Sequence, residues 1–157
     1  MSLQDRLSEE MKQAMKSSDS VRLSVIRMLR ASIKNKEIEK GKNRPLTETD
    51  LMEVVVSAVK QRKEAIEQYT KGSRSDLVQK EQSELNILQD FLPKPLSPQE
   101  LEAKIQEAIQ TAGAGSMKDM GKVMQALLPQ VVGRADTAQV SQKVKELLRG
   151  TIDKGRD

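Results

Sequence analysis

Apolar residues return every three or four positions along most of the chain, the spacing of helices that each bury one face. The first such run, from about Leu3 to Lys16, sets Leu7, Met11, Ala14 and Met15 on one side. A second follows Ser18 or Asp19, either of which suits a cap, and aligns Val21, Val25, Met28, Leu29 and Ser32 until Gly41 ends the pattern. Thr47 and Asp50 have capping-box spacing ahead of Leu51, Val54, Val55, Ala58 and Ile66, and Gly72 closes that third run. On its solvent side Lys60–Glu64 and Lys63–Glu67 are spaced as i,i+4 pairs, each worth about 0.2–0.5 kcal/mol. Ser73 or Ser75 starts a fourth run that buries Val78, Leu85, Leu88 and Leu92. Only the valines at 54–56 could seed a strand, and they sit inside a longer helical period.

The pattern then breaks at Pro93-Lys94-Pro95-Leu96-Ser97-Pro98. Three prolines so close cannot be helical, and each biases its predecessor toward extended backbone. Beyond them the helical period resumes. Ser97 and Glu100 form a capping box with Pro98 at the favoured first position, and Leu101, Ile105, Ala108 and Ile109 make the apolar face before Gly113 and Gly115. Ser116 or Asp119 starts a helix with Met120, Val123, Met124, Leu127 and Leu128 inward and Pro129 near its end. Gly133 then turns the chain toward Asp136, a good N-cap for a last helix with Val140, Val144, Leu147 and Leu148 inward. The expectation is an all-α protein: a four-helix antiparallel bundle over 1–92, a proline-rich linker at 93–98 and a three-helix domain over 97–157.

Composition removes whole classes of chemistry. The 157 residues include no Cys, no His and no Trp, with one Tyr and one Phe. Disulfides, thiol nucleophiles, Cys/His zinc sites and imidazole acid–base catalysis are therefore excluded. No run approaches the roughly 18 apolar residues of a membrane span. Nor do residues 1–10 hold the hydrophobic core of a signal peptide, so a cytoplasmic protein without a membrane partner is expected. The formal charge is +4, and its distribution matters more than its size. Residues 73–112 carry four bases and seven acids, whereas 113–157 carry eight and five and 1–40 carry nine and six. Basic character sits at the two ends of the chain.

No Walker loop, dinucleotide fingerprint, GxSxG elbow or HExxH motif is present. Glu9–Glu10 and Glu37–Glu39 read as solvated helix surface, and no metal or cofactor is expected. Met117, Met120 and Met124 read as core packing. Arg27, Arg30 and Lys34 form an i, i+3, i+7 stripe that could follow a phosphate backbone or simply face solvent. The segment around Gly121-Lys122-Val123-Met124 and Gly133-Arg134-Ala135-Asp136 is less ordinary. A glycine inside a helix costs about 1 kcal/mol relative to Ala, so Gly121 is expected to mark close approach by a neighbouring helix or by a ligand backbone. Arg134 stands beside the Gly133 turn with no acidic partner at i,i+4 on the final helix.

These residues resemble the GatB/YqeY family. The carriers are Gly-Lys-Val-Met at 121–124, Val-Val-Gly-Arg-Ala-Asp at 131–136, Val-Ile-Arg-Met-Leu-Arg-Ala-Ser-Ile-Lys-Asn at 25–35, Lys-Gln-Arg-Lys-Glu-Ala at 60–65 and Phe-Leu-Pro at 91–93. The resemblance spans essentially the whole chain, and Thr137 departs from the commoner Gly or Pro after the Asp. It implies a helical N-terminal domain and a three-helix unit similar to the tail of the aspartyl/glutamyl-tRNA amidotransferase B subunit, which holds the elbow of tRNA. Carried over residue by residue, Gly121, Lys122, Met124, Gly133, Arg134, Ala135 and Asp136 match.

The expectation is then a protein that binds tRNA by shape and phosphate, through Lys122 and Arg134 with Lys143, Lys145 and Arg149 in support. Arg27, Arg30 and Lys34 would be a secondary stripe, and no DNA partner is expected. The rival is a helical interaction module that docks on an aminoacyl-tRNA synthetase or amidotransferase without touching RNA. Family labels extend a carbon–nitrogen ligase activity with glutamine as amide donor, yet no catalytic machinery for it is visible in the residues.

Overall fold

A computed structural model describes residues 1–154. It is all-α, with seven α-helices, one short 3-10 turn and no strand among the described residues. The helices are α1 (Leu3–Lys16), α2 (Ser20–Lys40), α3 (Glu48–Lys71), α4 (Ser75–Gln89), α5 (Pro98–Ala112), α6 (Met120–Val131) and α7 (Thr137–Lys154). The chain divides into two compact units, Met1–Leu92 and Pro93–Asp157, of which residues 155–157 lie outside the described residues.

In the first unit, side chains at the helix starts fix where three helices begin. Ser2 and Thr47 make capping boxes with Asp5 and Asp50, while Asp19 accepts from the Arg22 amide. Each such cap satisfies a backbone N–H that the helix leaves unpaired. Helix α4 starts at Ser75, one of the two expected starts, and Arg74 before it makes no side-chain cap. Helix α2 packs against α1, α3 and α4 at once. Its buried stripe is Val25, Ile26, Leu29 and Ile33, sharing Val25 and Leu29 with the expected Val21, Val25, Met28, Leu29 and Ser32 but rotated from it, and Val21 is exposed. Met15, expected inward on α1, is 55% exposed because the chain turns within three residues of it. Phe91 is buried past the end of α4, under Arg6, whose guanidinium sits 4.5 Å from the ring centroid.

Polar contacts set the helix directions. Gln4 Nε2 donates to Glu37 at 3.4 Å and Arg30 Nη1 lies 3.0 Å from Met11 Sδ, so α1 and α2 run antiparallel. Lys36 pairs with Glu53 at 2.7 Å and Lys40 with Asp50, so α2 and α3 do likewise. Arg62 of α3 lies 3.3 Å from Glu81 and 2.8 Å from Glu84 of α4. Glu67 pairs with Lys71 at 3.2 Å, not with Lys63.

The second unit has its own core of Ile105, Val123, Leu127, Val140, Val144 and Leu148, all fully buried. Ser97 and Glu100 form the capping box of α5. Ser116 caps the 3-10 turn Met117–Asp119, which leads directly into α6. Pro129 sits in the last turn of α6, where the helix still runs to Val131.

The Lys40 ammonium and the Thr47 amide both hydrogen-bond the Asp50 carboxylate and lower its pKa from 3.8 to about 2. A carboxyl depressed in the folded state stabilises above its unfolded pKa and loses that contribution as pH falls toward the folded one. Stability should therefore decline between about pH 4 and pH 2 through this group. Asp50→Asn should show a smaller decline over that window in acid unfolding followed by circular dichroism. An unchanged acid profile would remove Asp50 from the account.

Candidate functional site

The turn between α6 and α7 is built by backbone constraint. Gly133 has φ 75, a region that costs an L side chain roughly 1–2 kcal/mol. The Arg134 and Ala135 amides fold back to the Val131 carbonyl at 2.9 and 3.1 Å. Asp136 accepts from the Ala138 amide at 2.9 Å and so caps α7.

Arg134 does not stand free at this turn. Its Nε donates to the Lys94 carbonyl at 3.0 Å, and its own carbonyl accepts from the Leu96 amide at 2.9 Å. Side chain and backbone together strap the extended 94–96 segment to the turn, which gives the arginine a structural task within the second unit. Arg134 and Lys143 line one groove there with Leu96, Leu101 and Glu102, about 470 Å³ in volume.

Of the other expected contacts only Lys143 joins it there. Successive helix positions lie about 100° apart, so Lys143 and Lys145 fall on opposite flanks of the buried Val140–Val144–Leu148 stripe and Arg149 follows Lys145. Lys122 is exposed in the first turn of α6. Gly121 beside it corrects the expected close helix contact: a Cβ placed there would meet nothing within 4 Å. Met124 and Ala135 are half-buried against the core. The five cations form no single face.

The first unit holds a different arrangement, which the sequence pattern presented only as a stripe. Three α2 cations have acidic partners on other elements: Arg22 with Glu10 and Asp90 at 3.2 and 3.3 Å, Lys36 with Glu53, and Lys40 with Asp50. Arg27, Arg30 and Lys34 are exposed and have no ion pair among the described residues. Arg30 and Lys34 rim a furrow between α1 and α2, about 190 Å³, floored by the buried Leu7 and Ile33 and flanked by Gln4 and Ser8. Ile38, one α2 turn beyond Lys34, is 71% exposed. A second cleft, between α2 and α3, is polar and spanned by the Lys36–Glu53 pair. Among the described residues no group of three acidic side chains is placed to hold a metal ion, and no helix is long and apolar enough to cross a membrane.

Comparison with known proteins decides the family. The YqeY model, described as Yqey-like protein, matches residues 4–148. The chain belongs to the YqeY-like family. Among curated relatives, the Altered inheritance of mitochondria protein 41, mitochondrial, of Vanderwaltozyma polyspora is 35% identical over 73% of this chain and 64% of its own length. The protein of the same name from Lachancea thermotolerans is 38% identical over 63% and 54%. That of Pyrenophora tritici-repentis is 31% identical over 91% and 79%. The chain thus spans about half to two thirds of the first two relatives.

Two expectations are corrected by these relatives. Their names refer to inheritance of mitochondria and carry nothing of tRNA, so the tRNA-binding function and its synthetase- or amidotransferase-docking rival are both withdrawn. The scatter of Lys122, Arg134, Lys143, Lys145 and Arg149 gives that correction a physical side. The cytoplasmic expectation falls as well, because each of these relatives is named as mitochondrial.

Two substitutions check the turn and the helix before it. Gly121→Ala should raise the unfolding free energy by a few tenths to about 1 kcal/mol, since helix propensity improves and the methyl meets open space. A loss of stability in chemical denaturation would restore the close-packing role. Arg134→Ala should cost about 0.5–1.5 kcal/mol for its hydrogen bond and speed amide exchange at Leu96 as the strap loosens. Unchanged exchange at Leu96 would mean that the backbone bond alone holds the segment.

Proposed function

We propose that this YqeY-like protein is a docking protein whose working surface is the outward, cationic face of α2. One observation carries this reading: Arg22, Lys36 and Lys40 are each neutralised by an acid from another element, whereas the exposed Arg27, Arg30 and Lys34 have no ion pair among the described residues, Arg30 touching only Met11 Sδ. Uncompensated like charges on one helix repel one another, so their i, i+3, i+7 spacing is unfavourable for folding alone and finds its use in an external anion. The second unit, on this reading, shares the helical design of the amidotransferase B-subunit tail. Its support is the matching Gly121–Asp136 segment, and no RNA role is carried over with it.

The test is site-specific photocrosslinking in cells from Ala31, which is exposed on the same face. Protein adducts should form and should fall several-fold when Arg27→Glu and Lys34→Glu are combined. The same change of charge at the exposed Lys63 of α3, as Lys63→Glu, should leave them in place. Adducts that ignore the α2 reversals would overturn the reading.

A further inference from the structure

We infer that the groove of the second unit beside Arg134 binds an aliphatic monocarboxylate. The groove measures about 470 Å³, within the roughly 300–1,000 Å³ of small-molecule sites. It lies between the extended 94–96 segment, the first turn of α5, the Gly133 turn and the start of α7, and it shares no residue with the α2 face.

Two kinds of wall meet there. Leu96, Leu101 and Ala135 stand only half-buried, and Pro95 and Pro98 are exposed beside them, so part of the lining is hydrocarbon open to solvent. Arg134 and Lys143 supply the other part. The Arg134 guanidinium is already oriented, because its Nε donates to the Lys94 carbonyl at 3.0 Å. Its two terminal nitrogens make no hydrogen bond or ion pair among the described residues, and neither does the Lys143 ammonium. A fork held at Nε and free at both Nη atoms is prepared for the two oxygens of a carboxylate, with little further freedom to lose on binding.

Charge limits the ligand to one such group. Glu102 and Asp136 line the same groove, so its four ionic side chains sum to zero. Asp136 accepts from the Ala138 amide, and Glu102 has no ion pair among the described residues. Such a groove has no net field to gather a polyanion, and its two acids disfavour a second negative group. One carboxylate seated on Arg134 and Lys143 fits, with its hydrocarbon remainder along Leu96 and Leu101. An extended peptide fits less well. The Leu96 amide is bonded to the Arg134 carbonyl, the Ala135 amide to the Val131 carbonyl and the Lys94 carbonyl to Arg134, while Pro95 and Pro98 have no N–H. A peptide's own amides would lose water there without finding partners, a cost that a hydrocarbon chain does not incur.

The experiment titrates the full chain with octanoate, read by isothermal calorimetry and by backbone amide shifts. Butanoate, octanol, octanedioate and a tetrapeptide ending in Leu-Leu with a free carboxylate are the comparisons. Octanoate should saturate and move the amides of Leu96, Leu101 and Ala135. Butanoate should bind at least about tenfold more weakly, since each buried methylene is worth about fourfold in affinity. Octanol and octanedioate should also bind several-fold more weakly, the first for want of charge and the second through repulsion by Glu102 and Asp136. Arg134→Gln should weaken octanoate about tenfold, as loss of charge-assisted hydrogen bonds does. Because Arg134 also straps the 94–96 segment, two variants that leave the strap intact are read beside it. Lys143→Gln should weaken octanoate with an unchanged thermal melt, and Glu102→Gln should narrow the preference for octanoate over octanedioate. Absence of saturable octanoate binding, octanol that binds as tightly, indifference to any of the three variants, or shifts that gather away from Leu96 and Leu101 overturns the assignment. So does tighter binding of the tetrapeptide, which would make the groove a peptide site.

Discussion

The first unit depends on one helix touching three others. The sequence holds a single Phe and a single Tyr, and the one aromatic in this core, Phe91, is buried past the end of α4. The volume must come from branched aliphatics, and α2 supplies Val25, Ile26, Leu29 and Ile33 to neighbours on three sides. Burying an aliphatic side chain of this size is worth about 1.5–3 kcal/mol, so four on one stripe fix which way α2 faces. Its opposite side is thereby committed to solvent. The exposure of Arg27, Ala31, Lys34 and Ile38 is a consequence of the core, not an independent choice.

Polar contacts then hold the ends that aliphatic packing leaves loose. Arg6 spans Glu10, the Asp90 carbonyl and the Phe91 ring, while Arg22 joins Glu10 to Asp90. These link α1, α2 and the end of α4, all within the first unit. Exposed pairs of this type are individually worth little, about 0–1 kcal/mol, but several sharing partners restrict geometry more than any one does. In the second unit the Arg134 strap does comparable work with a neutral acceptor, the Lys94 carbonyl.

Helix boundaries were legible because capping chemistry is local. Asp19, Thr47 and Ser97 act through their own neighbours, so their signatures survive whatever the tertiary packing does. Facing is a different matter. Val21 and Met15 match the helical period, yet they lie beside a turn with no helix packed over them, and only the assembled bundle reveals it. Gly121 misled because a glycine at a helix start and a glycine at a helix crossing look alike in sequence. Arg134 misled because its partner is a backbone carbonyl 40 residues away, which no charge pattern records. The family was legible from its motifs. The function was not, because the basic residues near the C-terminus share a sequence neighbourhood without sharing a face.

Charge on α2 separates these two kinds of information. Its six paired and unpaired cations Arg22, Arg27, Arg30, Lys34, Lys36 and Lys40 read as one basic helix in sequence. In the fold, a rotation about the helix axis sorts them. Those that turn toward α1, α3 or α4 meet Glu10, Glu53, Asp50 and Asp90, and these pairs help set the antiparallel register. The other three, Arg27, Arg30 and Lys34, have no ion pair among the described residues, and Arg30 rests on Met11 Sδ. Paired and unpaired charge thus occupy one helix, on sides about a third of a turn apart. Arg22, Lys36 and Lys40 tie α2 to its neighbours, whereas Arg27, Arg30 and Lys34 contribute no ion pair to that register.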